Sequence, residues 1–242
     1  MNRINYVIAS WSGHRSQRES PEMGRRFLRA HINKVMSLKH NLSQITICNP
    51  DNPSHEEYRL HSDLINELMA QHPSLIKVLN RSNAMVAYGS WSDAYGKYRT
   101  EFDYYILMED DYVPVQDNFD QILIDLIGKN PKVGYLGALL SNTSCVPDGR
   151  KHMGVTNGIA ITSALEAVYQ KFGSLMASYV EPEYWLNQVN FSLAFMDCGY
   201  ELADWSREYN VPFWYAQSKS TLDFVSDKGK SLIVPLETIG GY

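Results

Sequence analysis

Tyr104-Tyr105-Ile106-Leu107-Met108-Glu109-Asp110-Asp111 is the stretch on which the reading turns. A hydrophobic run, read as a strand over Tyr104 to Met108, leads directly into three consecutive carboxylates. Like charges side by side repel, at a cost that rises as water is removed. A cation among them would relieve that cost. Carboxylate oxygens suit the hard ions Mn²⁺ and Mg²⁺, which commonly use one or two carboxylates plus substrate phosphate oxygens. The bland reading is a solvated acidic turn after an edge strand. The place of the triplet at the end of an apolar strand, in the fourth of a series of strand–helix units, favours the functional one.

Working outward, the units before it repeat one pattern. Ile4 to Ser10 reads as a buried strand. Ser20-Pro21-Glu22 then reads as an N-cap with proline at the first helical position. Met23, Phe27, Ala30 and Leu38 follow with helical spacing. Gln44 to Cys48 is a second strand, and Ser54-His55-Glu56-Glu57 is a capping box that opens a second helix. Leu75 to Leu79 is a third strand, and Met85 to Tyr98 reads as a helix interrupted by Gly89 and Gly96. After the triplet, Asp117 is expected to cap a helix that stops at Gly128. Val133 to Leu139 and Gly154 to Ile161 are strand-like. Helices open at Ser163 and Pro182 and close at Gly173 and Gly199, and Val211 to Tyr215 is a short strand.

Strand–helix alternation predicts an α/β fold with a mostly parallel sheet covered on both faces. In such open sheets ligands bind beyond the carboxyl ends of the strands. The candidate segments are therefore Ser10 to Arg15, Asn49 to Asp51, Arg81 to Asn83, and Glu109 to Asp111. From about residue 141 the alternation becomes less regular. The expected organisation is one domain over 1–242: a donor half to about 140, an acceptor half over 141–216, and a polar tail over 217–242.

Composition narrows the function classes. A net charge of −5 argues against a dedicated nucleic-acid surface, which would rest on Lys and Arg. Arg15, Arg18, Arg25, Arg26 and Arg29 cluster near the N-terminus and read as a solvated helix face. The three cysteines Cys48, Cys145 and Cys198 are scattered and fit neither a disulfide framework nor a zinc site. No apolar run approaches the ~18 residues of a membrane span. The first residues lead straight into a strand, so the expectation is a cytoplasmic chain without a signal peptide.

Ala87-Tyr88-Gly89-Ser90-Trp91-Ser92-Asp93-Ala94-Tyr95, the strand, and Glu109-Asp110-Asp111 with Pro114 beyond it resemble the donor-binding half of the family 2 glycosyltransferases. The order of elements matches over roughly residues 4 to 200. The resemblance implies a GT-A, Rossmann-like fold and transfer of a sugar from a nucleotide diphosphate sugar to an acceptor hydroxyl. It implies Asp111 as a ligand of Mn²⁺ or Mg²⁺, with Glu109 or Asp110 facing the metal or the ribose. Ser10, Trp11 and Ser12 would line the nucleotide pocket. Asn49 and Asp51 would lie near the base, where an Asp would read the uracil N–H, so UDP is the favoured nucleotide. Arg81 and Asn83 either approach the base or diphosphate or, for Arg81, make a solvent-exposed loop charge. Gly89, Ser90 and Asp93 stand where the family's small-residue turn passes the donor; helix packing explains a glycine there equally well. Gly154 to Ala160 resembles the acceptor-side strand, or marks a bulge.

One departure bears on mechanism. Inverting members carry an acidic pair about a dozen residues before a Gly-aromatic pair. Here that pair is Gly199-Tyr200, and the matching positions hold Asn187-Gln188. Amides cannot serve as a general base. The base is then Glu183, with Glu181 and Asp197 as the other nearby carboxylates, or the enzyme is retaining. Two rival functions remain. A sugar-phosphate nucleotidyltransferase would usually carry a Gly-rich basic loop after the first strand, whereas Ser10-Trp11-Ser12-Gly13-His14-Arg15 has one glycine. A non-catalytic nucleotide-sugar-binding module is permitted by the missing acidic pair. The acceptor is open among glycan, lipid-linked sugar, protein and modified nucleobase.

Overall fold

The computed structural model describes residues 2–11, 20–141, 150–180, 184–205, 213–217 and 233–235. Along the chain run β1 (Ile4–Ala9), α1 (Pro21–Ser37), β2 (Gln44–Pro50), α2 (His55–Gln71), β3 (Ile76–Arg81), α3 (Val86–Tyr98) and a 3₁₀ turn (Arg99–Glu101). β4 (Tyr104–Glu109), β5 (Tyr112–Pro114), α4 (Phe119–Ile127), β6 (Val133–Ser141), β7 (His152–Ile161) and α5 (Thr162–Phe172) follow. α6 (Tyr184–Asp197), β8 (Glu201–Asp204), β9 (Phe213–Gln217) and β10 (Ile233–Pro235) complete the order.

Unbroken apolar strands need cover on both faces, and they receive it. Every residue of β1 is buried. Tyr6, Ile8, Ile106 and Met108 point into a core shared with Leu28, Ile32 and Val35 of α1, Leu64 and Leu68 of α2, and Phe119 and Leu123 of α4. Val7, Ala9, Tyr105 and Leu107 point the other way, against Trp91 and Tyr95 of α3, Leu165 and Val168 of α5, and Phe191 and Phe195 of α6. Full burial of each such side chain contributes about 1.5–3 kcal/mol. The period of two sets which way each residue at the strand end faces.

The seven-stranded sheet has the order β3-β2-β1-β4-β7-β6-β8. All neighbours pair in parallel except β7, which is antiparallel to both β4 and β6. The result is a mostly parallel, Rossmann-like α/β sheet flanked by helices. A second sheet, β10-β9-β5, starts where β4 ends. Asp110 and Asp111 form the turn between β4 and β5, so the acidic residues occupy the corner at which the chain leaves one sheet for the other. The sequence reading had no strand at 112–114. β10 likewise lies in the stretch read as polar tail.

Local signals account for the helix starts. The Ser20 hydroxyl accepts the Met23 N–H and Pro21 begins α1. The Ser54 hydroxyl accepts the Glu57 N–H at 3.3 Å. Contrary to the expectation from sequence, Asp117 does not cap α4. Its carboxylate accepts the Lys39 N–H at 2.9 Å, and the cap position is Asn118 with φ 58°. Asp120 accepts the Asn41 N–H at 2.6 Å. Both acids therefore tie the α1–β2 loop to α4. Among the described residues no helix is long and apolar enough to cross a membrane.

Candidate functional site

β2 and β3 follow β1 on one side of it, whereas β4 returns to the other side. The crossovers therefore part between β1 and β4, and a crevice opens at their carboxyl ends. The ladder between these strands ends with Ala9 opposite Glu109. Ser10 and Trp11 leave on one side of the crevice, and Asp110 and Asp111 on the other.

Asp110 is only 1% exposed and Asp111 7%. A carboxylate so placed needs hydrogen bonds or a counter-charge. The Trp11 N–H donates to Asp110 Oδ2 at 3.0 Å. Behind the turn, His31 Nδ1 lies 3.0 Å from the Asp110 carbonyl oxygen. A carbonyl only accepts, so Nδ1 carries the proton. The Tyr6 hydroxyl then donates to Nε2, 2.7 Å away. Burial pushes His31 down to about 4 and Tyr6 well above the usual tyrosine range. The ring is neutral at physiological pH, with its tautomer fixed by its two partners.

Strand alternation sends Glu109 to the opposite face, with Tyr105 and Leu107. There the buried Asn157 of β7 clamps it. Its Oδ1 accepts the Glu109 N–H at 2.6 Å, and its Nδ2 donates to Glu109 Oε2 at 3.4 Å. Beside it the Tyr88 hydroxyl lies 3.3 Å from Thr156 Oγ1, and the Tyr135 hydroxyl donates to the Thr156 carbonyl. The three carboxylates are thus splayed by the backbone rather than crowded around one point. Among the described residues no three His, Cys, Asp or Glu side chains form a cluster able to hold a metal. The donor set is all oxygen and small. It fits a hard ion shared with a diphosphate and does not fit an ion held by protein alone.

The other expected site residues fall into two groups. Ser10 turns inward: its hydroxyl donates to the Cys48 carbonyl at 2.6 Å and accepts from His61 Nε2 at 2.9 Å. Asn49 is buried, and its amide nitrogen donates to Ser62 Oγ and Asn80 Oδ1. Arg81 donates through Nε to Asp93 at 2.6 Å, through Nη1 to Ser90 Oγ at 3.4 Å, and through Nη2 to the Ala84 carbonyl at 2.5 Å. Its side chain is only 5% exposed, which replaces the solvent-exposed alternative. Gly89 admits this fork: a Cβ there would stand 2.1 Å from the Ala84 oxygen and 2.2 Å from Arg81 Nη2. Asp51 is exposed and accepts the Asn83 N–H. Ser12, Glu181 and Glu183 lie outside the described residues.

Asn187 is buried in α6 and closes both of its bonds on one residue. Its Oδ1 accepts the Val180 N–H and its Nδ2 donates to the Val180 carbonyl, each at 2.9 Å. A carboxylate could not make the second bond, so the amide at this position has a structural reason. Asp197 ends α6 and forms an exposed pair with Arg150 at 3.5 Å. β8, which follows, begins level with Val133 at the start of β6. Asp197 is therefore at the amino edge of the sheet, about 20 Å from the first residue of α6. The start of α6 is on the crevice side.

Sequence reasoning missed His31, Tyr6 and Asn157. His31 sits inside a helical apolar stripe and Tyr6 inside an apolar strand, where a polar atom gives no periodic signal. Asn157, between Thr156 and Gly158, was visible only as a break in the strand. Gly158 serves packing, since a Cβ there would meet the Leu136 carbonyl at 2.2 Å across β6 and β7.

No family model matches the chain, and no curated protein matches it in sequence. In fold it is similar to 4-diphosphocytidyl-2C-methyl-D-erythritol synthase from Anaerococcus prevotii DSM 20548, with a TM-score of 0.52, 12% identity, and 84% of this chain and 86% of that chain covered. It is equally similar to CMP:2-keto-3-deoxy-manno-octonic acid synthetase complexed with CTP, with a TM-score of 0.52, 12% identity, and coverage of 84% and 88%. Mouse xyloside xylosyltransferase 1 aligns with a TM-score of 0.42 and 8% identity over 93% and 91% of the two chains. The likeness to the two synthetases is one of fold, and the fold is what stands of the family resemblance.

Proposed function

We propose that this chain transfers a glycosyl group from a nucleoside diphosphate sugar, with uridine the favoured base, to an acceptor hydroxyl. The observation that carries the reading is the buried Asp110–Asp111 turn at the point where the crossovers of β1 and β4 part. Asp111 would hold Mn²⁺ or Mg²⁺ together with the diphosphate oxygens; Glu109, expected from sequence to share the ion, is turned to the other face and held by Asn157. When bound there, the ion supplies positive charge opposite the departing diphosphate. Trp11 and Asp110 orient the nucleotide at the mouth of β1, and Ser12 follows Trp11 in the chain. Asp51, exposed beyond β2, accepts an N–H from the base. The Asn49 amide nitrogen is taken up by Ser62 and Asn80, so the uridine preference rests on Asp51 as the acceptor for the uracil N3–H. Glu183, the residue before α6, takes the proton of the acceptor hydroxyl. The acceptor oxygen then bonds to the anomeric carbon, and the bond from that carbon to the diphosphate oxygen breaks with its electron pair.

Thermal shift against nucleotides with and without Mn²⁺ tests the reading, because a ligand of the folded state raises Tm by mass action. UDP should stabilise the chain more than GDP or ADP, and only with Mn²⁺. Absence of any Mn²⁺-dependent shift would sink the transferase reading. A larger shift with GDP or ADP would overturn the base alone.

A second reading has its own observation, the fold shared with a synthetase that binds CTP. A nucleotidyltransferase would release pyrophosphate from a nucleoside triphosphate and a sugar phosphate. Release of pyrophosphate, with no transfer from UDP-sugars, would replace the first reading with this one.

A further inference from the structure

The last rung of the β1–β4 ladder is Ala9 opposite Glu109, so the carbonyl of Asp110 lies just past the sheet. It receives its hydrogen bond from a helix side chain instead, His31 Nδ1 at 3.0 Å. His31 lies on the α1 face that buries Leu28, Ile32 and Val35, and it is completely buried. α1 closes its own backbone bonds and needs no imidazole there. An apolar residue would fill the same seat without the cost of burying two ring nitrogens. Both nitrogens are matched, one to the turn and one to the Tyr6 hydroxyl. The Tyr6 ring is fixed in turn by edge contacts to His31 at 5.6 Å and Phe119 at 5.8 Å.

Resting on the function proposed above, we infer that His31 is a positioning residue: its Nδ1–H, set by Tyr6 at Nε2, holds the Asp110 carbonyl and so fixes the turn that presents Asp110 and Asp111 to a nucleotide diphosphate and its ion. His31 touches no substrate, since it approaches the turn from the helix side. Partners that orient the ligands of an ion contribute about 10–100-fold in its affinity.

Two substitutions separate positioning from packing. In His31→Asn the amide nitrogen stands near the Nδ1 position and keeps a donor for the Asp110 carbonyl. In His31→Gln the amide reaches the Nε2 position and that donor is lost. The readout is the Kd of Mn²⁺ in the presence of UDP, followed by the EPR signal of free Mn²⁺, with Tm recorded for each chain. His31→Gln should raise the Kd by about 10–100-fold while His31→Asn stays near the parent. If His31→Gln does not fold, Tyr6→Phe decides: a raised Kd supports the relay and an unchanged one overturns it. A parent that binds and a folded His31→Gln chain that binds equally well sink this inference alone. Loss of affinity that merely follows the loss of Tm in both variants sinks it too. A parent that binds no Mn²⁺ with UDP sinks the functional reading as well.

Discussion

At the carboxyl ends of β1 and β4 the polar groups converge on a turn that belongs to no strand. At the ends of β2 and β3 they converge on each other. Asp110 is held by the Trp11 N–H and the His31 ring at its two ends, which leaves a shaped acidic corner. Arg81, Asp93, Ser90 and Ala84 form a closed fork, and Asn49 is tied to Ser62 and Asn80. Both regions follow parallel strands, and both look like ligand sites in sequence. They differ in topology. Between β1 and β4 the crossovers part and leave room. β2 and β3 are sequential neighbours whose loops pack together. A residue beyond a strand is thus a candidate, and the strand order decides among candidates.

The sharpest test contrasts the two ends of α6. Glu183→Gln should lower turnover by about 10²–10⁴-fold with donor binding kept, whereas Asp197→Asn at the far edge should leave turnover unchanged. NMR of the product's anomeric proton checks the premise. Retention of configuration would remove the need for a base at this helix.

Next comes the contrast between corner and fork. Asp111→Asn should weaken Mn²⁺-dependent UDP binding by about 10²-fold or more, because the site loses the charge that would hold the ion. Arg81→Ala should instead lower stability by about 1 kcal/mol, since it removes the hydrogen bonds that close the fork while the exposed Asp93 and Ala84 return to water. Calorimetric titration and thermal melts read both. An Arg81→Ala chain of parental stability with lost UDP affinity would return Arg81 to the diphosphate.

Asn187→Asp probes the amide at the position where the family resemblance read from sequence would put an acidic residue. The carboxylate would face the Val180 carbonyl in a buried site, and the chain should lose about 2–3 kcal/mol without gaining activity. Higher turnover in that variant would show that the position is a lapsed base.

The effect that is smallest near neutral pH is a slope in stability. His31 has a folded pKa of about 4, below its ordinary value, because burial disfavours the imidazolium. The unfolded chain takes up a proton near pH 6.5 and the folded chain does not, so stability falls as pH drops from about 6.5 to 4. This group alone accounts for roughly 3 kcal/mol at the lower end. His40, lowered by partial burial, works in the same direction. The difference between parent and His31→Asn in urea melts across that window isolates His31, and equal slopes would contradict its burial as a neutral ring.

Much of the fold is legible in the residues themselves. Short apolar runs such as Ile4 to Ala9 and Tyr104 to Met108, rich in β-branched and aromatic residues, read as strands covered on both faces, and Ser20-Pro21 and Ser54 to Glu57 carry their helix starts in local hydrogen bonds. Local chemistry also marks Glu109-Asp110-Asp111 as a place where charge accumulates at a strand end. The sequence alone determined that much, because propensity, periodicity and capping act over a few residues. Tertiary structure decided the rest: that Asp117 braces the α1–β2 loop instead of capping α4, that Arg81 is locked under Gly89, and that Asn187 mimics a backbone partner for Val180. It also decided that His31, 79 residues from Asp110, supplies that turn's hydrogen bond. The Arg81 and Asn187 contacts close within a dozen residues but need a loop geometry that periodicity does not encode, whereas the His31 and Asp117 contacts span 79 and 78 residues and depend on how α1, β4 and α4 are brought together, a choice no window of local sequence contains.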